Sequence, residues 1–303
     1  MRIGTRRSAL ALAQARSVAD QLEIGRQERM EIVPIVTRGD RGSGSEDKSR
    51  WVSELEDALL TGEIDLAVHS AKDVPGELAE GTALLGTPAR AAAEDALCGA
   101  ASLDGLASGA RVGTSSIRRM AQLLAVREDL DVVAMRGNVD TRVKMLERGD
   151  FDAIVLACAG LQRLGLTGAA GAVLDPARFV PAPGQGTLAL QARADEEPVR
   201  ERVAEITDAG AFACLLTERA LARELGAGCH TPLGAWAAPA GPGTLELRAW
   251  VGLPDGSAWI SDQLTGACGD PEELGREVAA RMRLAGAGEM LQRAEEMAPV
   301  GNV

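Results

Sequence analysis

Short β-prone runs alternate with helical stretches twice over before residue 160, and this alternation limits the fold more than any other feature of the chain. Residues 2–5 read as a strand. Ser8 then offers an N-cap for a helix to residue 23, with Leu10, Val18 and Leu22 on its apolar face. A β-rich run follows at 31–37, a helix at 51–60 closed by Thr61-Gly62, and an apolar strand at 65–70. The same order returns as strand 111–114, helix 116–126, strand 131–135, helix 138–148 and strand 152–157. Strand–helix alternation of this kind predicts mostly parallel sheets covered by helices. Residues 181–186, Pro-Ala-Pro-Gly-Gln-Gly, form a punctuated crossover before a strand at 187–192 and helices at 199–206 and 212–225. The character then changes. Three β-like runs at 234–238, 245–253 and 258–263, separated by Gly/Pro/Asp turns, predict an antiparallel sheet, with helices from residue 271. The expected class is α/β: two similar lobes and a smaller α+β third domain.

Composition removes several function classes. The 303 residues include 32 basic and 44 acidic side chains, for a net charge of −12, and only three Phe, four Trp and no Tyr. An acidic chain poor in stacking aromatics lacks the footprint of a nucleic-acid binder. Its apolar runs fall short of the roughly 20 residues that span a bilayer, and the N-terminus has no signal-peptide pattern. The five cysteines, an odd number without Cys-x-x-Cys spacing, read as thiols of a cytoplasmic protein. The two histidines, His69 and His230, sit in no ligand cluster, so no metal is expected.

The charge is unevenly spread. Residues 61–110 hold two basic and eight acidic groups, whereas 111–163 hold nine and seven. Arginines gather where strands give way to helices: Thr5-Arg6-Arg7-Ser8, Gly113-Thr114-Ser115-Ser116-Ile117-Arg118-Arg119, and Met135-Arg136-Gly137-Asn138-Val139-Asp140-Thr141-Arg142. Free N–H groups at a helix start bind anions, and arginine in the first turn opposes the helix dipole unless an anion is present. The planar guanidinium also pairs bidentately with carboxylates. These clusters therefore predict an anionic ligand, against the alternative that the arginines are solvated or pair with nearby acids. Two further motifs carry reactive groups. His69-Ser70-Ala71-Lys72-Asp73-Val74-Pro75 ends a strand with a Lys–Asp pair suited to acid/base work. Leu225-Gly226-Ala227-Gly228-Cys229-His230-Thr231-Pro232 sets a cysteine in a glycine-rich loop, where it could be an exposed thiol or a small packed one.

Together, and in this order, the motifs at 5–15, 69–75, 113–119, 135–142, 181–186 and 225–234 resemble the porphobilinogen deaminase (hydroxymethylbilane synthase) family. The resemblance runs from Arg2 to about Trp236 and more loosely to the end. It implies two lobes like periplasmic binding proteins with mixed sheets, spanning 1–88 with 185–206 and 91–182. A C-terminal α+β domain, 209–303, would have a three-stranded antiparallel sheet and carry the cofactor cysteine. It also implies head-to-tail joining of four porphobilinogen molecules, with loss of ammonia, into linear hydroxymethylbilane by a cytoplasmic monomer. A dipyrromethane cofactor would be attached through a thioether to Cys229. Arg6, Ser8, Thr114, Ser116, Arg118, Arg119, Arg136, Arg142 and Arg163 would hold carboxylates of cofactor and substrate. Lys48 and Lys72 match active-site lysines, and Asp73 would stabilise the cationic pyrrole and assist proton transfers. The family's loop before the Glu54-Leu55-Glu56 helix is longer and richer in lysine. Here it reads SEDKSRWVSELE at 45–56, with Arg41 or Arg50 as substitutes for a missing lysine.

Two other functions use the same residues. A two-lobed binding protein for a carboxylated small molecule would need the anion sites without catalysis, and a cysteine hydrolase would use Cys229 with His230.

Overall fold

The computed structural model describes residues 1–36, 49–228 and 231–297. In chain order its elements are β1 (Arg2–Arg6), α1 (Ala9–Glu23), β2 (Glu31–Ile35), α2 (Ser49–Leu60), β3 (Leu66–Ser70), β4 (Thr82–Gly86), β5 (Asp95–Cys98), β6 (Arg111–Gly113), α3 (Ile117–Val126), β7 (Asp131–Val133), α4 (Val139–Glu147) and β8 (Ala153–Ala157). They continue with α5 (Cys158–Arg163), β9 (Ala170–Val173), β10 (Leu188–Arg193), α6 (Glu197–Ile206), α7 (Ala209–Glu224), β11 (Leu233–Gly241), β12 (Thr244–Gly252), β13 (Trp259–Ala267), α8 (Pro271–Leu284) and α9 (Ala287–Met297). The described chain divides into two compact units, residues 1–91 with 187–213 and residues 92–186 with 214–297.

The first unit is built on a five-stranded sheet ordered β2-β1-β3-β10-β4. Strand β1 runs parallel to β2 and β3, while β10 is antiparallel to β3 and β4. The apolar stripe of α1 packs Ala15, Val18, Ala19 and Leu22 against Ile3, Leu66, Val68 and Leu190 of the sheet. Ser8 caps α1 as expected, accepting from the Ala11 N–H at 3.2 Å. Leu10 lies only half-buried.

The second unit repeats the pattern as β7-β6-β8-β5-β9, with β6 parallel to β7 and β8, and β5 antiparallel to β8 and β9. Its two faces bury separate clusters, one around Met135, Phe151, Ile154 and Leu161, the other around Leu97, Val112, Leu123 and Phe179. In both sheets the fourth strand is the one the chain enters after crossing from the other unit. The sequence pattern showed the parallel halves. Strands β10 and β5, each antiparallel to both of its neighbours, make the two sheets mixed.

The small sheet β11-β12-β13 is antiparallel throughout, in the second unit, with β11 and β13 longer than the β-prone runs indicated and β12 of the expected length. Trp250 of β12, backed by Trp236, packs on Ala121 of α3 and on Val180. Among the described residues, no helix is long and apolar enough to cross a membrane.

Candidate functional site

In the first unit, the ends of β1 and β3 converge. Arg6 closes β1, Ser8 starts α1, and β3 runs into a short 3-10 turn, Ala71–Asp73. That turn is pinned by the Ala71 N–H to the Thr187 carbonyl at 3.0 Å and closed by the Val74 N–H to the Ala71 carbonyl at 3.1 Å. Pro75 then prevents the turn from growing into a helix. Arg6, Ser8, Gln14, His69 and Asp73 line one small cavity of about 50 Å³. Three of the sequence-predicted residues, Arg6, Ser8 and Asp73, are thus brought together from separate segments. Lys72 is half-buried beside Asp73 in the same turn.

In the second unit, the GTSSIRR motif folds as expected into a strand end, a turn and a helix start. Thr114 is fully buried and its Oγ1 accepts from the Ser116 N–H at 3.2 Å, while Ser116 caps α3 by accepting from the Arg119 N–H. The two arginines turn inward. Arg118 is 3% exposed and Arg119 7% exposed, and both bind Asp95, which is 1% exposed. Arg118 donates from Nη2 to Asp95 Oδ2 at 2.8 Å and from Nη1 to the Val180 carbonyl at 2.8 Å. Arg119 donates from Nε and Nη2 to Asp95 Oδ1 at 3.0 and 2.8 Å, and from Nη1 to the Val155 carbonyl at 3.0 Å. The Gln185 side chain donates to Asp95 Oδ1 at 2.8 Å and to the Ala93 carbonyl at 2.6 Å. Burial alone would push the Asp95 carboxyl up, but the two guanidiniums outweigh it and hold it well below the usual carboxylate range. The triad therefore carries two positive charges against one negative.

The remaining arginines of this unit differ. Arg136 is exposed. Arg142 folds back from α4 and donates from Nε to the Gly137 carbonyl at 2.7 Å, across a turn that needs the positive φ of 112° found at Gly137. Arg163, at the end of α5, donates to the Gly186 carbonyl at 2.8 Å, and burial lowers its guanidinium to about 10.

Lys48 and Cys229 lie outside the described residues, as do His230 and Arg41. Two participants were not identified from sequence. Asp95 is an acid opening the buried β-run DALC, and Gln14 is a lone polar residue in the apolar stripe of α1. In each case the signal was a polar residue at a position whose periodicity calls for an apolar one. Among the described residues, no cluster of His, Cys, Asp or Glu is suited to a metal ion.

Comparison with known proteins identifies the family. Residues 1–201 match the family model of the porphobilinogen deaminase dipyrromethane cofactor-binding domain, and residues 212–283 match that of the porphobilinogen deaminase C-terminal domain. The chain is 43% identical over 292 residues to a porphobilinogen deaminase of Thermus thermophilus, covering 95% of this chain and 97% of that one. It is 44% identical over 302 residues to the enzyme so named from Stenotrophomonas maltophilia, covering 96% and 98%. Among solved structures, immunogenic lipoprotein A from Vibrio vulnificus aligns with a TM-score of 0.43 at 13% identity, over 70% of this chain and 96% of that one. The chain belongs to the porphobilinogen deaminase family, dipyrromethane-bearing transferases that polymerise porphobilinogen to hydroxymethylbilane with release of ammonia.

Proposed function

We propose that Asp73 is the carboxylate that acts on the substrate pyrrole in this reaction and that Cys229 carries the dipyrromethane group through a thioether. The observation that carries the first assignment is the convergence of Arg6, Ser8 and Asp73 on one cavity. A cation and a hydroxyl there suit a substrate carboxylate, and an anion beside them suits a ring that becomes cationic as its amine leaves. Asp73 stabilises that developing charge and takes up the proton released when the new carbon–carbon bond forms.

The donor set fits a polycarboxylate. Arg163 is a half-buried cation at the end of a helix, and the Arg118–Asp95–Arg119 triad has a surplus positive charge. When bound, the dipyrromethane supplies the pyrrole carbon to which the first substrate is joined. Arg118, Arg119, Arg136, Arg142 and Arg163, with Thr114 and Ser116, favour its carboxylates and those of the growing chain. Arg118 and Arg119 do so through the triad's charge, since their donors are directed to Asp95 and to main-chain carbonyls. Lys48 and Lys72 add positive charge for the same chain.

Intact-protein mass tests the attachment. The purified protein is expected to exceed its sequence mass by two linked pyrrole units, and Cys229→Ser to return to sequence mass without turnover. An active protein at bare sequence mass would overturn the assignment. We further propose that the enzyme works as a cytoplasmic monomer without nucleic-acid partners, and that its chain comprises lobes 1–88 with 185–206 and 91–182 plus a C-terminal domain, 209–303.

A further inference from the structure

Helix α2 buries Val52, Leu55, Ala58 and Leu59, and beside them a carboxylate: Glu56 is 8% exposed. A carboxylate taken out of water is costly unless hydrogen bonds meet its charge. Here they come from two segments distant in the chain. Glu56 Oε1 accepts from the Ala79 N–H at 3.0 Å and from Gln191 Nε2, on β10, at 2.8 Å. Gln191 Nε2 also donates to Thr82 Oγ1 at 2.8 Å, and the Thr82 hydroxyl donates in turn to the Ala79 carbonyl at 2.8 Å. Both main-chain groups of Ala79 are thereby fixed, its N–H by Glu56 and its carbonyl by Thr82. The network is lopsided, however. Gln191 is fully buried, and its Oε1 makes no hydrogen bond. An acceptor left unmet in the interior costs stability, and apolar groups of similar shape are often as good a filling or better. The network is therefore not the most stable way to seat α2, which points to a use for what it holds.

What it holds is the loop that leaves Asp73. The 3-10 turn Ala71–Asp73 is tied at its start to the Thr187 carbonyl, and residues 74–79 lead from it back toward β4. Pro75 stiffens that path by fixing one backbone dihedral. Ala79 is bonded once more where the loop joins the strand, by the Thr82 N–H to its carbonyl at 3.1 Å. Asp73 thus lies on a short span with Thr187 gripping one end and Glu56 the other. A carboxylate that stabilises charge appearing only in the transition state has to be in place before that charge develops. We propose that Glu56 is a positioning residue for Asp73: its carboxylate anchors the 74–79 loop through the Ala79 N–H and so fixes the turn that presents Asp73. This rests on the assignment of Asp73 above and adds the support on which that carboxylate stands.

The test is steady-state kinetics on Glu56→Leu, Glu56→Gln and the double variant Glu56→Leu with Gln191→Leu, with cofactor content checked by intact mass and folding by thermal midpoint. In Glu56→Leu, kcat should fall about tenfold while KM for porphobilinogen stays within about twofold, because the anchor serves a group that acts in the transition state. The double variant also removes the amide with the unmet acceptor. It is expected to keep the parent thermal midpoint with kcat still low, which separates anchoring from stability. Glu56→Gln retains an acceptor for the Ala79 N–H and should bring kcat back to within about twofold of the parent. Parent kcat in a folded, cofactor-loaded Glu56→Leu or double variant would overturn the proposal. So would a Glu56→Gln enzyme as slow as Glu56→Leu, or a loss of activity that merely tracks lost cofactor mass. Failure of the Asp73 assignment reads differently: Asp73→Ala would keep near-normal turnover whatever Glu56 does.

Discussion

The two large sheets have the same strand order and the same mixture of strand directions, yet their equivalent junctions use arginine in opposite ways. In the first unit, Arg6 is the last residue of β1 and lines a cavity with Asp73. In the second, Arg118 and Arg119 fall in the first turn of α3 and are drawn into the interior by Asp95. The fourth strand explains the difference. Asp95 opens β5 opposite Ala157, the last residue of β8, and Leu188 opens β10 opposite Ser70, the last residue of β3. One topological position thus holds a buried acid in one sheet and a leucine in the other. The acid captures the neighbouring arginines and makes that junction a structural centre. Where leucine stands instead, Arg6 lines the cavity that Asp73 also lines.

Asp73→Ala gives the largest effect that this contrast predicts. Turnover should fall about a thousandfold, the scale of losing a positioned acid/base or charge-stabilising group. The thermal midpoint should change little, because Asp73 is only half-buried at a loop turn. Steady-state rates beside a melting curve check both halves. A strongly lowered midpoint would make the first unit's junction structural as well, and the contrast would fail.

Asp95→Asn should do the reverse, with its main effect on folding. Removing one partner of a buried ion cluster costs about 3–5 kcal/mol, because the remaining charges stay desolvated. Urea unfolding measures it. The pH dependence follows from the depressed carboxyl. Stability from Asp95 is fully present above the unfolded carboxylate value of about 3.9 and is lost as the pH falls below it toward the lower folded value. Acid unfolding of the parent should therefore steepen below that pH, and Asp95→Asn should lack this component. A triple replacement, Asp95→Leu with Arg118→Leu and Arg119→Leu, sharpens the point. Apolar side chains in place of a buried ionic cluster are often neutral for stability. If this variant folds but fails to assemble cofactor, shown by mass, the surplus charge serves the ligand. If it folds, loads and turns over normally, the triad is purely structural.

The sequence made the parallel halves of both sheets legible because β3 and β8 are short apolar runs and β1 and β6 lead into helices capped by Ser8 and Ser116. Strands β4, β5 and β9 were missed for separate reasons. The segment TALLG is followed by Thr-Pro, AGAV sits in a glycine- and alanine-rich stretch, and DALC begins with a charge. Their pairing comes from partners distant in the chain, which local periodicity does not encode. The clusters of arginines were legible as clusters, but not their fates. Whether a guanidinium faces a ligand or a buried acid depends on which residue the crossing strand presents beside it, and that is decided only by tertiary register. Gln14 was hidden by the same rule, since a polar residue in an apolar stripe gains meaning only when a cavity opens beside it.

The smallest effect separates two duties of one hydroxyl. Ser8 and Ser116 both cap helices, so replacing either with alanine should cost about 1 kcal/mol of stability. Ser8 also lines the cavity with Arg6 and Asp73. A hydroxyl can accept from the Ala11 N–H and still donate elsewhere, whereas a carboxylate only accepts. Ser8→Asp therefore keeps the cap and should hold the parent thermal midpoint, yet it removes the donor and brings a negative charge toward the ligand. KM for porphobilinogen should rise severalfold with stability unchanged. If KM stays constant in a stable Ser8→Asp enzyme, Ser8 is a cap alone, and carboxylate recognition at this junction falls to Arg6.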